Sequence, residues 1–326
     1  MAFVAMPTPR VTVLVACFNT APYLVATLES VRTQSFEDFE VIMVDDGSTD
    51  GTWPIMCQFA AADRRFKATQ MPQNAGVVAA RNAGLARASG TYVAPLDGDD
   101  IWTPDALAHR LELADKYPQA DVIATEFAWF EDQTPTPPYA GRVGMGPRAK
   151  VAFAQSFATG EPSYMPQPFE QMATLHFAWT GAMLIRRAAL TAAGNFDASF
   201  AGPEDTLLWL RLALRGAFVF SPKVTAFYRQ RPGSLVTTYK GPKELHYLSV
   251  LERIRADGLT RAQHHNVRHL QAQSHHIASL HFRLASQTTT ALQHAWLALK
   301  HGPLSSSIWK NLMSTWLEHM QRRMKS

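Results

Sequence analysis

The chain has 326 residues, 47% hydrophobic and 18% charged, so it can bury a sizeable core and is not disordered over most of its length. That is about twice the ~150 residues of a usual domain, which fits one large α/β domain with an appendage or two domains. No apolar run approaches the ~18 residues of a membrane-spanning helix, residues 1–10 lack a secretory signal's basic head and apolar stretch, and two cysteines (Cys17, Cys57) make neither a disulfide framework nor a zinc site. A reducing cytoplasm is the expected compartment. The net charge of +4 is uneven: residues 1–239 hold 19 Lys/Arg against 23 Asp/Glu, whereas residues 240–326 hold 12 against 4 and ten of the 12 histidines. A composition break at Lys240-Gly241-Pro242 therefore divides the chain into 1–240 and 241–326. The basic second part suits an anionic partner surface, and the mildly acidic first part does not suit nucleic acid.

Residues 11–18 are a near-continuous apolar run, as in a strand buried on both faces. Residues 23–34 put Leu24, Leu28 and Val31 on one helical face. A second strand over 39–44 stops at Asp45-Asp46-Gly47-Ser48. A helix over 53–62, a strand over 66–70 and an Ala-rich helix over 77–88 follow. A fourth strand over 91–96 ends at Asp97-Gly98-Asp99-Asp100. Pro104 after Thr103 starts another helix, and residues 120–130 read as a fifth strand. Between 131 and 174 no period is sustained, which predicts a long loop, mobile without ligand and ordering over a bound one. A strand over 176–186, a Leu-rich helix over 204–214 and an extended segment over 218–228 complete the body. Everything after Gly241 reads helical. The whole predicts an α/β fold, a mostly parallel sheet covered on both faces, with a helical C-terminal extension.

Two acidic clusters fall just past the carboxyl ends of predicted parallel strands, the edge where open α/β sheets bind ligands. Neighbouring carboxylates repel, and neither cluster has a Lys or Arg beside it in sequence, so their ionised form calls for an added cation. A hard divalent ion shared with a substrate phosphate meets that need. The competing reading is a pair of solvated turns, for which Asp and Gly are also suited. Glu204-Asp205, behind Gly202-Pro203, is either a helix cap or a general base. No Gly-rich turn follows the first strand and no Gly-Lys-Ser/Thr loop occurs, so hydride transfer and ATP hydrolysis are not expected.

Val13-Leu14-Val15-Ala16-Cys17-Phe18-Asn19 is similar to the opening strand of family 2 glycosyltransferases with the GT-A fold. Glu29-Ser30-Val31-Arg32-Thr33-Gln34-Ser35-Phe36 resembles their first helix and its exit. Val44-Asp45-Asp46-Gly47-Ser48 resembles their nucleotide turn, and Asn74-Ala75-Gly76 with Ala80-Arg81-Asn82-Ala83-Gly84 the block after it. Leu96-Asp97-Gly98-Asp99-Asp100, Trp179-Thr180-Gly181-Ala182 and Glu204-Asp205 with Leu208-Trp209-Leu210-Arg211 follow in the same order. The likeness runs from residue 11 to about 234.

The resemblance implies inverting transfer from a nucleotide-diphosphate sugar, most often a uridine one, to a carbohydrate or lipid-linked hydroxyl, as in bacterial-type surface glycan or glycolipid assembly. It implies that Ala16, Cys17, Phe18, Asp45 and Asp46 hold base and ribose, with Asn74, Gly76 and Arg81 beside the nucleotide. Asp99 would bind Mn²⁺ or Mg²⁺ with Asp97 and Gly98 in support, and Asp205 would be the base. Where many relatives have a histidine, Tyr228-Arg229-Gln230-Arg231-Pro232-Gly233-Ser234 stands here, and Arg229 or Arg231 is suited to the diphosphate. Competing readings are a sugar-phosphate nucleotidyltransferase, which needs no Asp205-type base, and a non-catalytic relative that binds nucleotide or glycan.

In the extension, His264, His265, His269, His275, His276 and His281 lack Cys or acidic co-ligands and read as solvated helix residues rather than a zinc site. Trp309, Met313, Trp316 and Met320 form a stripe with Lys310, Arg322, Arg323 and Lys325 elsewhere. It is a face for docking on the body, for a homodimer, or for peripheral contact with the inner face of a membrane.

Overall fold

The computed structural model describes residues 8–131, 142–200, 202–231, 242–302 and 305–323, the side chains of 142–143 and 322–323 excepted. Residues 132–141, Pro232-Gly233-Ser234, Lys240, Gly241 and Lys325 lie outside the described residues. The chain forms two compact units, Met1–Phe200 with Leu212–Ser234, and Ala201–Arg211 with Leu235–Ser326. The second unit draws in a short segment, 201–211, that no composition break marks.

The first unit begins with alternating strands and helices: β1 (Val11–Cys17), α1 (Ala21–Arg32), β2 (Phe39–Asp45), α2 (Thr52–Ala62), β3 (Phe66–Gln70), α3 (Val77–Leu85) and β4 (Tyr92–Asp97). Every residue of β1 and β2 is buried, as their mostly apolar sequence suits strands covered on both faces; the buried Thr12 hydroxyl and Glu40 carboxylate pair with each other at 2.8 Å. Proline opens α1, where a missing N–H costs nothing, and the helix buries Leu24, Leu28 and Val31. There follow β5 (Ile101–Trp102), α4 (Ala106–Lys116), β6 (Ala120–Glu131), β7 (Arg142–Val143), α5 (Pro147–Ala152), α6 (Ala154–Thr159), β8 (Ser163–Met165), α7 (Phe169–Leu175), β9 (Met183–Arg186) and α8 (Arg187–Ala192). Next come α9 (Glu204–Ala213), which the unit boundary divides, and β10 (Ala217–Gln230).

Among the described residues ten strands join one mixed sheet with helices on both faces, in the order β3-β2-β1-β4-β9-β6-β10-β5, with β7 on β6 and β8 on β10. β3, β2, β1 and β4 are parallel, and β9 is antiparallel between β4 and β6. The chain goes from β1 to β2 on one side and reaches β4 on the other, so the switch in strand order lies at β1. Cys17 stands in register with Asp45, and Ala16 with Asp97. The pairing therefore places both acidic strand ends beside the end of β1.

Two expectations are corrected. The expected strand over 176–186 is a strand only from Met183; before it, Thr180–Ala182 form a 3-10 turn. Buried Arg110 donates to the Gly181 and Met183 carbonyls at 3.0 and 3.4 Å, and Gly181 lies in the turn just before Met183 enters the ladder with β6. The stretch expected as a structureless loop carries β7, α5, α6, β8 and α7 in its described part, and it buries Met145, Phe153, Met165, Phe169 and Met172. Elements of two to seven residues are too short to show a period.

The described remainder of the second unit holds four helices, α10 (Lys243–Ile254), α11 (Arg261–Leu284), α12 (Thr288–His301) and α13 (Ser306–Arg323). Thr260 and Gln263 form a capping box that starts α11. None of the described helices is long and apolar enough to cross a membrane. His275 corrects the reading of solvated histidines. It is buried at the α11–α12 contact, with Nδ1 2.9 Å from Nδ1 of His294 and its ring stacked on His301. Leu270, Ala278 and Ala291 are buried around this contact, so the helix face carrying His275 is an interior one.

Candidate active site

The site is built where β1, β2 and β4 end. Asp45 accepts the Ser48 amide at 3.0 Å and the Gln70 side-chain amide at 2.9 Å, which closes the turn after β2. Asp46 spans two backbone amides, Ala75 and Gly76, at 2.8 Å each. Both carboxylates are thus engaged in shaping the loops around the expected nucleotide pocket. Gly47 takes a positive φ of 71°, and a Cβ there would come within 2.7 Å of the Asn74 backbone, so only glycine lets the two loops meet. Asn74 is exposed beside it, and Gly76 opens α3 at φ 90°.

At the tip of β1 the Cys17 carbonyl accepts the Asp46 amide and the Ala16 carbonyl accepts the Gly98 amide. Burial first, and then the negative Asp45, Asp99 and Asp97, push the Cys17 thiol above its ordinary range, against a hydrogen bond with Thr20, so it is no nucleophile. Phe18 turns outward, 43% exposed, and Asn19 in left-handed conformation accepts the Thr49 amide. Gly98 fits because a Cβ would meet Cys17 Sγ at 2.8 Å and Thr20 Oγ1 at 3.0 Å; the absence of one lets the Asp-Gly-Asp turn rest on β1.

The acidic turn after β4 is neutralised in part from afar, so the carboxylates that have no Lys or Arg beside them in sequence gain basic neighbours through the fold. Nearly buried Arg81 on α3 donates to Asp97 at 2.7 Å, and its guanidinium lies over Phe196. Asn82 holds the Phe196 backbone from both its amide atoms. From the end of β10, Arg231 donates to Asp99 Oδ2 at 2.6 Å and Arg229 to the Asp99 carbonyl at 2.7 Å. Tyr23 and Phe130 sandwich the Arg229 guanidinium at 4.8 and 4.5 Å. The Asp100 carboxylate is buried; one oxygen accepts the Arg229 amide and the other, Oδ2, has no hydrogen-bond partner.

Burial is the first cause holding Asp99 and Asp100 above the usual carboxylate range, and the mutual repulsion of Asp97, Asp99 and Asp100 is the second. Arg231 and the Arg229 amide oppose it. Tyr228 is held upward by burial and then by the same three carboxylates, so it too borders this cluster. Its ring packs edge-on against Trp129 and Trp179 at 4.5 and 5.4 Å, and these three partly exposed aromatics, backed by buried Phe127, form a wall next to the acids.

Among the described residues no three His, Cys, Asp or Glu side chains converge to hold a metal unaided. Asp97 and Asp99 offer hard oxygens, and the buried, partnerless Asp100 Oδ2 marks a carboxylate cluster short of positive charge. That donor set fits a Mg²⁺- or Mn²⁺-like ion, which takes one or two carboxylates and completes its shell with water and phosphate.

The structure thus brings together Ala16, Cys17, Phe18, Asp45, Asp46, Gly98, Asp97, Asp99, Arg81, Arg229 and Arg231. Asp205 stands in the second unit, in the first turn of α9, half-buried, its Oδ1 accepting the Thr206 amide at 2.6 Å. Sequence reading missed Tyr23, Phe130 and Phe196, which no motif marks, and gave no role to Asn82 and Tyr228, although both lie within quoted blocks. Asp100 was visible as the fourth letter of the Asp-Gly-Asp-Asp run.

With this geometry, the comparisons with known proteins give the class. The family described as Glycosyl transferase family 2 matches residues 12–192, more than half of the chain, and the chain belongs to that family. TuaG of Bacillus subtilis (strain 168), provisionally named a teichuronic acid biosynthesis glycosyltransferase, is 43% identical over 104 residues, 32% of this chain and 41% of that protein. EpsH of the same organism, provisionally a glycosyltransferase, is 38% identical over 128 residues, 39% of this chain and 36% of its own. The chain spans less than half the length of these curated relatives.

Two solved structures share the GT-A fold. S. aureus TarS 1-349 in complex with UDP-GlcNAc superposes with TM-score 0.63 at 20% identity, over 96% of this chain and 87% of that one. The mannosyltransferase PcManGT from Pyrobaculum calidifontis in complex with GDP-Man and Mn2+ does so with TM-score 0.60 at 18% identity, over 97% and 87%.

Proposed function

We propose that the chain is an inverting, metal-dependent glycosyltransferase that moves a sugar from a nucleotide-diphosphate sugar, UDP-linked, to an acceptor hydroxyl in bacterial-type surface glycan or glycolipid assembly. The observation that carries this reading is the meeting of Asp97 and Asp99 with Arg81, Arg229 and Arg231 at the carboxyl edge of β4. Family membership supports the reaction class, and the nucleotide sugars in the two related structures support the donor class. Phe18 offers an exposed ring to a base at the tip of β1, and the Asp46-tethered loop 75–76 offers backbone beside it.

A divalent ion held by Asp99, with Asp97 in support, would act as a Lewis acid on the leaving diphosphate. Arg231 stands where a diphosphate reaching Asp99 would meet a guanidinium suited to hold it as a planar fork, while the buried Arg229 guanidinium, held between Tyr23 and Phe130, braces the Asp99 backbone. Asp205 is the general base of this proposal, taking the proton of the acceptor hydroxyl; inversion needs one such carboxylate and no second, nucleophilic one.

Calorimetry of Asp99→Ala with UDP and Mn²⁺ tests the site. The expected result is loss of metal-dependent UDP binding. Unchanged affinity with unchanged metal dependence would overturn the assignment.

A further inference from the structure

The last two helices carry an apolar face that the chain leaves open to solvent. α13 is apolar on two sides. Ile308 and Leu312, with Asn311 and Thr315, are buried in the unit's own interior. Trp309, Met313, Trp316, Leu317 and Met320, at spacings i, i+4, i+7, i+8 and i+11, are between 38% and 53% exposed. α12 adds Trp296, 62% exposed, and Leu297. A cavity of about 440 Å³ lined by Trp296, Leu297, Leu299, Lys300 and Trp309 makes the two stripes continuous. A contiguous patch of this kind marks a surface that something else covers.

We infer that this face is a docking surface for an anionic phospholipid bilayer, with α12 and α13 lying flat in the headgroup layer. Charge decides the occupant. Residues 288–326 hold five Lys/Arg against one acid. That acid, Glu318, pairs with Arg283 at 3.7 Å and lies about two and a half turns after Trp309, on the opposite side of α13. Lys300 and Lys310 are exposed at the margins of the apolar face.

A second copy docked by the same face would set one basic surface against another, in a part of the chain with 12 Lys/Arg against 4 Asp/Glu over residues 240–326. An anionic surface turns the same charges into attraction. Three tryptophans suit the headgroup layer, where one end of the indole is apolar and the other wet, and lysine stems reach past the acyl boundary to the phosphates. The inference does not depend on sugar transfer.

The test is sedimentation of the full chain with vesicles of phosphatidylcholine alone and of phosphatidylcholine mixed with phosphatidylglycerol. Binding to the mixed vesicles, a blue shift of tryptophan emission on binding, and release by salt are expected. Trp296→Ser with Trp316→Ser should weaken binding at least ~tenfold, with far-UV circular dichroism reporting that the fold is kept. Lys300→Glu with Lys310→Glu changes only exposed side chains and should weaken it by a similar factor. Failure to bind, equal binding to neutral vesicles, or binding that neither pair alters would overturn the inference. A concentration-dependent dimer split by the Trp pair, without vesicle binding, would assign the face to a second copy instead.

Discussion

Arg231 donates from Nε to Oδ2 of Asp99 at 2.6 Å, joining residues 132 apart in the chain. A cation bound at Asp99 competes with this guanidinium for the same oxygen, while an incoming diphosphate would attract Arg231 away from it. Arg231→Gln should therefore bind Mn²⁺ more tightly in the absence of nucleotide and bind UDP about tenfold more weakly at saturating Mn²⁺, the order of one partly buried, charge-assisted contact. Calorimetry with metal alone and then with nucleotide separates the two effects. Weakened Mn²⁺ binding would mean that Arg231 builds the metal site rather than competing for it.

Asp46 is buried and uses one oxygen for each of the Ala75 and Gly76 amides. Asp46→Asn keeps the shape but turns an NH₂ toward one of these donors. The expected cost is about 1–3 kcal/mol of unfolding free energy, because a buried amide is left without an acceptor. Denaturant titration should show this loss without nucleotide present. A fully stable variant that only binds UDP poorly would reassign Asp46 to direct ligand contact.

The histidine cluster gives the second unit a pH dependence. Burial, then His294 and His301, hold His275 down to about 4, and burial holds His294 and His301 below the ordinary histidine value. Arg255, Arg268 and Lys300 add to the effect at His301. At these three histidines the unfolded chain binds more protons than the folded one between pH ~6.5 and ~4, so their contribution to stability falls as the pH falls through that window. His275 alone contributes a slope of at most ~1.4 kcal/mol per pH unit. Urea titrations at pH 7.5 and 5 should show the drop, and His275→Gln should flatten it. Equal or greater stability at pH 5 would contradict this.

The parallel half of the sheet was legible because β1 and β2 are mostly apolar and β2 and β4 end at Asp/Gly turns, signals that are local in sequence. In the other half β6 and β10 were read as extended segments, but the seat of β9 was not legible. β9 has four residues, and its antiparallel seat between β4 and β6 depends on partners about 60 and 90 positions away. Pro222 sits inside β10, where the register shift between Ser221 and Val224 absorbs it. In the site, Asp97 and Asp99 were visible as a motif, while Arg81 and Arg231 were not visible as their neutralising partners. Charge pairing across a fold leaves no trace in local spacing. His275 looked like its exposed neighbours His265 and His269, because only the placement of α12 decides which helix face is interior.

Asp205 opens α9 behind Gly202-Pro203, half-buried, with the Thr206 amide on its Oδ1 at 2.6 Å. As the catalytic base it would account for about 10²–10⁴ in rate. As a residue favoured by the helix dipole it would be worth only ~1 kcal/mol of stability. The two roles separate in one variant. Asp205→Asn keeps the size and an oxygen for the Thr206 amide, and loses the capacity to take a proton. It should unfold at nearly the wild-type temperature and bind UDP with unchanged affinity, yet transfer at least ~100-fold more slowly in kcat. Single-turnover kinetics with saturating donor and acceptor isolates the chemical step from product release. Near-normal turnover in Asp205→Asn would leave Asp205 a helix-start residue and move the search for the base to Glu204, its neighbour in the same first turn.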